Sequence, residues 1–283
     1  MSGFSEDWLA LREPADHRSV NAYVRQRLIA ALPASRPLRV VDLGCGAGSN
    51  LRGLAPILGT GQHWTLVDYD RALLDTARKS LATSNAEQLS ETADVRVAFG
   101  NAAVDVAFRQ ADLSRGAYGE IIGGASLVTA AALFDLVSAG VIDALAEEIA
   151  ARRQAFYTVL TYDGIAAWLP EHATDRAMRD AFNQHQRTDK GFGPAEGPGA
   201  TACLAHAFTR RGYEVIRAKS PWVLDESFSA LRREVDRGWA AAVRETGLVS
   251  PADIDAWLQH RLQTPDAVTV VGHDDILAVP PLR

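Results

Sequence analysis

The chain has 283 residues and a formal net charge of −6, and its pI near 5.7 argues against a surface that collects phosphates. Lysine occurs only at Lys79, Lys190 and Lys219, so nucleic acid is not the expected partner. The N-terminus lacks a signal-peptide pattern and no stretch approaches eighteen uninterrupted apolar residues, so we expect no membrane partner and a cytoplasmic protein. Cys45 and Cys203 show no metal-ligand spacing, so we predict no metal site.

Strand and helix patterns alternate along the chain, which predicts an α/β fold with a doubly wound, mainly parallel sheet. In chain order we predict a helix at 20–32, strands at 38–43 and 64–70, a helix at 72–81, a hairpin of 95–99 with 104–108, a strand at 126–129, a helix at 134–152, a strand at 155–162, and strands at 212–224 and 267–279 with helices at 225–246 and 251–262 between them.

The most informative stretch is residues 40–50, where an apolar strand runs into alternating glycines and then a helix. Gly44, Gly46 and Gly48 leave no Cβ where the backbone turns off the strand end, so a ligand can lie against bare backbone. About twenty residues on, a second strand ends in Asp68, where a ribose would present its hydroxyls. The pattern predicts a nucleotide-cofactor site.

The glycine register is G-x-G-x-G, whereas dinucleotide sites use G-x-G-x-x-G. The stretch that Asp42 opens resembles motif I of the class I, Rossmann-like S-adenosylmethionine-dependent methyltransferases. The resemblance implies a seven-stranded sheet with a late antiparallel strand and S-adenosylmethionine as cofactor. It also implies that Asp42, Gly44, Gly46 and Gly48 border the methionine part of that cofactor.

The same resemblance assigns further cofactor contacts downstream. Asp68 would accept from both ribose hydroxyls, and Tyr69 would stack on adenine. Asp112, after the third strand, would accept from the adenine amine while the Leu113 N–H donates to the ring; the alternative for Asp112 is a helix cap or turn. Thr129, at the end of the fourth strand, completes the predicted cofactor set.

The N-terminal segment, residues 1–36, is predicted to form a helical cover. In many members of the resembled family, an N-terminal arginine grips the methionine carboxylate. We assign this role to Arg18, with Arg12 as the other candidate, because a guanidinium matches a carboxylate in two parallel hydrogen bonds. The alternative is a salt bridge with Glu13 or Asp16.

Residues 166–211, between the fifth and sixth strands, are predicted to be a lid over the acceptor; the alternative is an ordinary surface loop. The polar, glycine-rich part of this insertion supplies Asp189, Lys190 and Phe192 as predicted substrate contacts. The predicted division of the chain is a cover at 1–36, the cofactor-binding half at 37–165, the lid at 166–211 and the C-terminal half of the same domain at 212–283.

Catalysis by such an enzyme needs mainly a close, aligned acceptor in a dry pocket. A hydroxyl or ammonium acceptor also needs a base, for which we choose His185 over His172 and His206. Residues 129–135 lack the Asn/Asp-Pro-Pro-aromatic motif of nucleic-acid amino methyltransferases, so a small-molecule acceptor is expected. The sequence leaves open whether oxygen, nitrogen, carbon or sulfur is methylated, and it does not indicate the oligomeric state.

The predicted function is therefore in-line methyl transfer from S-adenosylmethionine to a small molecule. One alternative is a non-catalytic, S-adenosylmethionine-binding regulatory protein that keeps the fold. A nicotinamide-dependent oxidoreductase is the third hypothesis, but the glycine register and the lack of a Tyr-x-x-x-Lys set disfavour it.

Overall fold

A computed structural model of the chain describes residues 5–82, 87–88 and 95–281. Within these residues the strands are β1 Leu38–Leu43, β2 Gln62–Asp68, β3 Glu87–Gln88, β4 Val95–Phe99, β5 Ala102–Gln110, β6 Leu127–Ala131, β7 Ala155–Leu169, β8 Glu214–Lys219, β9 Trp222–Leu224 and β10 Val268–Val279. The α-helices are α1 Glu6–Ser19, α2 Ala22–Ala31, α3 Ser49–Leu54, α4 Arg71–Ala82, α5 Tyr118–Ile121, α6 Ala139–Ala151, α7 Asp175–His185, α8 Ala200–Thr209, α9 Ser229–Thr246 and α10 Pro251–Gln263.

All of the described strands join one sheet, in the order β3-β4-β5-β2-β1-β6-β7-β10-β8, with β9 paired to β10. Strands β5, β2, β1, β6 and β7 are parallel, and β10 is antiparallel to β7, β8 and β9. The parallel strands are covered on both faces, as the buried apolar run of β1 shows. The predicted doubly wound sheet with a late antiparallel strand is confirmed.

The sheet is larger than the predicted seven strands. The hairpin predicted from residues 95–99 and 104–108 adds β4, antiparallel to β5, and β3 pairs with the other side of β4 to form that edge. At the other edge, the predicted strand at 212–224 is split into β8 and β9, because Pro221 has no N–H to donate to a ladder. Ser220 marks the break, and its N–H donates to the His273 carbonyl at 2.9 Å.

Strand β7 runs seven residues beyond the predicted end at residue 162. The added part pairs with the start of β10, from Leu169 opposite Val268 to Ala166 opposite Val271. A twelve-residue β10 needs a partner along its whole length, which explains the extension. The segment between β7 and α8 is accordingly shorter than the predicted insertion 166–211, since residues 200–209 form α8.

The core lies in two clusters, one on each face of the sheet. One includes Trp64 and Trp257, and the other is centred on Phe134, Phe156 and Phe208. The Phe156 and Phe208 rings stack with centroids 4.7 Å apart. Because the parallel strands end at one edge, the turns after β1, β2, β5 and β6 meet there. Among the described residues, none of the helices is both long and apolar enough to cross a bilayer.

Candidate active site

A cavity of about 1370 Å³ opens at the carboxyl ends of the parallel strands. Its floor at one end is the loop after β1, and its other end reaches β7, β9, α9 and β10. Side chains of α1 and of residues 182–192 line it from above. We call the part around the loop after β1 the cofactor end; Asp42, Gly44, Gly46 and Asp68 line it. We call the part around β7, β9, α9 and β10 the acceptor chamber; it is lined by Tyr162, Trp222, Trp239 and His273.

The glycine loop after β1 has the backbone that its sequence predicts. Gly44, Gly46 and Gly48 have φ values of +62°, +51° and +83°, a region that side chains disfavour. A Cβ on Gly44 would lie 3.1 Å from a methyl carbon of Leu133, and one on Gly46 would lie 3.2 Å from Leu9. Gly44 and Gly46 line the cavity, whereas Gly48 lies outside the lining and caps α3.

Asp42 is fully buried at the end of β1 and lines the cavity. Its Oδ1 accepts from the Asn50 amide at 2.7 Å, and its Oδ2 is buried without a hydrogen-bond partner. Burial raises the pKa of Asp42 to about 7, with a further contribution from the nearby Asp68 carboxylate. An orphaned carboxylate oxygen beside a glycine cradle fits the ammonium group of a methionine moiety.

Asp68 and Tyr69 lie at the end of β2. The Asp68 carboxylate holds the loop, because its Oδ2 accepts from the Gly46 N–H at 2.8 Å and its Oδ1 from the Asp70 N–H at 2.9 Å. Each oxygen keeps a further lone pair, so the carboxylate can still accept from ribose hydroxyls. Tyr69 lines the same cavity and is 42% exposed, which leaves its ring available for stacking.

The remaining predicted cofactor contacts are divided by the structure. Asp112 and Leu113 both line the cavity. Asp112 also caps the turn, since its Oδ1 accepts from the Ser114 N–H at 3.0 Å, as the alternative interpretation expects; its contact with adenine remains a prediction. Thr129 lies below the lining and is fully buried, and its Oγ1 accepts from the Asn50 amide at 3.1 Å. The Thr129 side chain therefore contacts Asn50 and not the cavity, so the structure does not support it as a direct cofactor contact.

The structure does not support Arg18 as a cofactor contact. Its guanidinium is half exposed, pairs with Asp225 at 3.5 Å and lies over the Phe228 ring, outside the cavity lining. The other candidate, Arg12, lines the cavity and forms the salt bridge with Asp16 that the sequence analysis kept as its alternative, at 2.8 Å and 3.2 Å. Arg18 follows Arg12 by six residues, about 1.7 helical turns, so the two side chains point about 120° apart around α1.

Helix α1 is fastened to the glycine-loop helix. The Glu13 carboxylate accepts from Arg52 Nε at 2.6 Å, and His17 Nε2 lies 3.0 Å from the Ser49 carbonyl. At its other side, Asp16 Oδ1 accepts from the Trp222 indole at 3.0 Å. These contacts hold α1 across both ends of the cavity.

The acceptor chamber has aromatic walls contributed by three elements. Tyr162 of β7 and Phe182 of α7 meet edge to face, with ring centroids 5.6 Å apart. Phe182 also stacks on Trp239 of α9, with ring centroids 3.9 Å apart. The Tyr162 hydroxyl donates to Asn183 at 2.8 Å, which fixes the end of α7 against β7. Such walls exclude water and lower the local dielectric.

Asp135 lines the chamber just after β6 and is only 7% exposed. Its Oδ2 accepts from the Gln186 amide at 3.4 Å. Burial raises the pKa of Asp135 to about 6, although its own N–H, the Tyr162 N–H and the cations Arg12 and Lys190 oppose this rise.

His185 lies at the chamber wall, where its ring is held on two sides. Its Nε2 is 3.1 Å from a Glu245 carboxylate oxygen, and the Lys190 ammonium lies 3.3 Å from its Nδ1. Lys190, Asp189 and Phe192 all line the cavity. Burial lowers the pKa of Lys190, and Asp189 Oδ1 accepts from the N–H groups of Gly191 and Gly193, so it shapes the loop.

His273 of β10 lies deep in the chamber, 6% exposed, against the Trp222 ring at 5.1 Å. Burial and the Arg12 charge lower its pKa to about 3, so the ring is neutral at pH 7. Its Nδ1 is buried without a hydrogen-bond partner in the structure.

Sequence reasoning missed three of these chamber residues as functional candidates: Asp135, Tyr162 and His273. Asp135 could have been found, because it follows a strand at the edge where Asp68 and Asp112 also lie. Tyr162 and His273 carry no such signal, since each lies inside a long strand that also holds other polar residues, such as Asp163 and Asp274.

The comparisons agree with the geometry of the cofactor end. Residues 40–117 match the family model described as a methyltransferase domain. The comparison with curated proteins gives no match. A similar solved structure is the YcgJ protein from Bacillus subtilis, with TM-score 0.52 and 14% identity, covering 93% of this chain and 100% of that one.

Two more similar structures are named as S-adenosylmethionine-dependent methyltransferases in complex with S-adenosyl-L-homocysteine. The one from Geobacter sulfurreducens has TM-score 0.46 and 18% identity, covering 99% of this chain and 100% of that one. The one from Thiobacillus denitrificans has TM-score 0.44 and 17% identity, covering 98% and 99%.

The strand order and the glycine-loop edge define a class I, Rossmann-like methyltransferase fold. The match of residues 40–117 to the methyltransferase domain model agrees with that fold. The predicted family resemblance is confirmed, and S-adenosylmethionine is the cofactor that this family implies.

Proposed function

We propose that the protein transfers a methyl group from S-adenosylmethionine to a small-molecule acceptor held in the acceptor chamber. The observation that carries the proposal is the single cavity that joins the glycine loop to the aromatic walls of Tyr162, Phe182 and Trp239. A second compartment with aromatic walls beside the cofactor end offers a place for an acceptor, which cofactor binding alone does not require.

The residues of the cofactor end fit the proposed ligand. Gly44 and Gly46 let the ligand lie against the backbone. Asp42 Oδ2 has no hydrogen-bond donor in the structure and can accept from the cofactor, and the Asp68 carboxylate can accept from the ribose hydroxyls. When bound, the cofactor supplies an activated methyl group on a sulfonium. The protein's own part is to orient the acceptor toward that end and exclude water.

The predicted base His185 remains a prediction. Its position in the chamber wall supports it, while the Lys190 ammonium and the Glu245 carboxylate already contact its two ring nitrogens. Asp135 is the alternative, because it faces the same chamber and forms no salt bridge with a cation among the described residues.

We also propose that residues 170–199 cover the acceptor, which retains the lid hypothesis for a shorter segment. Phe182, His185, Lys190 and Phe192 of this segment line the chamber. The buried Arg261 fastens its base, donating to Asp175 and to the Pro170 carbonyl at 2.6 Å each. The cover is therefore built on a fixed hinge.

Calorimetry with S-adenosylhomocysteine tests the cofactor part of the proposal. We expect Asp68→Ala to weaken binding by about 1.5–3 kcal/mol, roughly ten- to a hundredfold, because ribose hydroxyls lose a charged acceptor and the loop loses its tie. Asp68→Asn should lie between wild type and Asp68→Ala. Asp75→Ala removes an exposed charge from α4 and serves as the control.

Methyl transfer from radiolabelled S-adenosylmethionine to a panel of small acceptors tests the catalytic part. Micromolar cofactor binding with no transfer to any acceptor would favour the regulatory alternative. If the protein binds NAD more tightly than S-adenosylhomocysteine, the cofactor assignment is contradicted and the oxidoreductase hypothesis is favoured.

A further inference from the structure

Asp135 is a buried carboxylate that has no cation of its own. Within the part of the chain that the structure describes, the side-chain donor to it is the neutral amide of Gln186, and no arginine, lysine or histidine forms a salt bridge with it. Buried carboxylates in proteins are normally paired, because an isolated charge in a low-dielectric site is costly.

Two cations, Arg12 and Lys190, act electrostatically on Asp135, but the side chain of each contacts other groups. Arg12 forms its two hydrogen bonds with Asp16 and lies over the Trp222 ring at 4.8 Å. Lys190 lies beside the His185 ring. Neither gives Asp135 a partner, so its charge is free for a ligand in the chamber.

The surroundings of Asp135 suit an organic cation. Aromatic side chains of Tyr162, Phe182 and Trp239 supply apolar contact in the same cavity, and the His273 ring is neutral. An ammonium group on an apolar body would neutralise Asp135 and bury its carbon skeleton against these walls. A carboxylate ligand would be repelled, and an alcohol would leave the charge uncompensated.

Asp135 also lies beside the cofactor end. It follows Leu133 by two residues, and the Leu133 side chain packs directly on Gly44 of the glycine loop. A group bound to Asp135 is thus near the loop that would hold the methyl donor.

We propose that the acceptor atom is an amine nitrogen, which enters as an ammonium ion and is recognised by Asp135. This inference rests on the proposed function. One ammonium proton passes to the Asp135 carboxylate, which frees the nitrogen lone pair. The nitrogen then bonds to the methyl carbon as the methyl–sulfur bond breaks, with the electron pair remaining on sulfur. Asp135 releases its proton to water after the methylated ammonium leaves.

The test uses matched amines and alcohols as probes of the whole 283-residue chain, saturated with S-adenosylhomocysteine, at pH 7.5. The pairs are 2-phenylethylamine with 2-phenylethanol, 4-phenylbutylamine with 4-phenylbutanol, and hexylamine with hexanol. Binding is followed by tryptophan fluorescence, because Trp8, Trp222 and Trp239 line the cavity. We expect wild type to bind at least one amine ten times or more tighter than its alcohol.

Asp135→Asn should remove that preference by weakening the amine at least tenfold while the alcohol changes less than threefold. Asp135→Glu should restore part of it. The matched control is Glu234→Gln, since Glu234 lines the same cavity but pairs with Arg237 and is half exposed. No preference for any amine in wild type, or a preference that survives in Asp135→Asn, would overturn the proposal.

S-adenosylhomocysteine affinity, measured by calorimetry for each variant, separates this inference from the proposed function. We expect Asp135→Asn to bind it within threefold of wild type, which also shows that the variant is folded. If wild type fails to bind S-adenosylhomocysteine, the proposed function fails. Amine and alcohol binding measured in the absence of S-adenosylhomocysteine then still tests whether Asp135 recognises an ammonium group.

Discussion

The cofactor end and the acceptor chamber share one cavity but are built in different ways. The cofactor end takes its polar residues from the ends of three parallel strands that lie side by side in the sheet, with Asp42, Asp68 and Asp112 within about seventy residues of chain. The chamber brings together α1, β7, α7, α9 and β10, and one of its contacts joins Trp222 to Asp16 across 206 residues.

This difference means that the two ends depend on different forces. The cofactor end is held by its backbone geometry and by hydrogen bonds between residues close in sequence. One example is the Gly46 N–H, which donates to the Asp68 carboxylate. The chamber is held by side chains that pack and pair over long distances. Changes at one end should therefore affect the other weakly, which the following predictions test.

The largest effect on stability is expected for Arg261→Met, at the base of the chamber cover. Arg261 is 1% exposed and donates to Asp175 and the Pro170 carbonyl. Removing one partner of a buried pair leaves the other unpaired, so the free energy of unfolding in urea should fall by about 3–5 kcal/mol. The control, Arg244→Met, breaks an exposed pair with Asp255 and should cost at most about 1 kcal/mol.

A second measurement on the Arg261→Met variant tests whether the two ends are independent. Its affinity for S-adenosylhomocysteine, measured where the variant is folded, should stay within about threefold of wild type. A loss of affinity as large as the loss of stability would show that the cofactor end is coupled to the cover.

The second prediction is that the two ends respond to pH with opposite signs. The folded pKa of Asp42, about 7, exceeds its ordinary value of 3.8, so its contribution to stability is full below pH 4 and is lost as the pH rises through 7. The folded pKa of His273, about 3, lies below its ordinary 6.5, so its contribution is full above pH 6.5 and is lost as the pH falls toward 3.

Urea unfolding of the ligand-free protein from pH 4 to 8 measures both contributions as differences from a variant. The groups that face Asp42 are Asn50 and Asp68, and those that face His273 are Arg12, Trp222 and Tyr162. Relative to wild type, Asp42→Asn should gain stability as the pH rises, and His273→Phe should gain as it falls, each by on the order of 3 kcal/mol. Parallel curves for variant and wild type would refute either assignment.

The same difference explains how much of the site the sequence predicted. The glycine loop and its strand-end acids lie in sequence patterns whose geometry is local, so the cavity-lining positions of Asp42, Asp68 and Asp112 could be anticipated. Arg18 lies outside the cavity lining, and the sequence did not reveal this because a helix with little amphipathic pattern does not show which side faces the cavity. Arg12 faces it because Asp16, one turn on, is held by Trp222 from β9.

Fold prediction failed at similar places. The parallel strands have apolar runs of their own and were found within a few residues. The extension of β7 depends on pairing with β10, about a hundred residues later, which no local pattern reveals. Likewise, the polar cluster of His185 and Lys190 was visible in the sequence, whereas Glu245, which holds the ring, comes from α9.

The smallest expected effects come from one glycine at each end. Gly44 has φ +62°, and its Cβ would lie 3.1 Å and 3.3 Å from the two methyl carbons of Leu133. Gly238, in the middle of α9, borders the chamber but has ordinary helical backbone and open space where a Cβ would stand. The same substitution to alanine should therefore have opposite signs at the two positions.

Gly44→Ala should lower the free energy of unfolding by about 1–2 kcal/mol, because alanine in the left-handed region is strained and Leu133 must move. S-adenosylhomocysteine binding should weaken with it, since Leu133 and the loop shift together. Gly238→Ala should raise the free energy of unfolding by about 0.5–1 kcal/mol, because glycine loses more backbone entropy in a helix than alanine does. Its cofactor affinity should not change. If both variants are destabilised alike in urea, the backbone at the cofactor end is not specially constrained, and the contrast between the two ends is wrong.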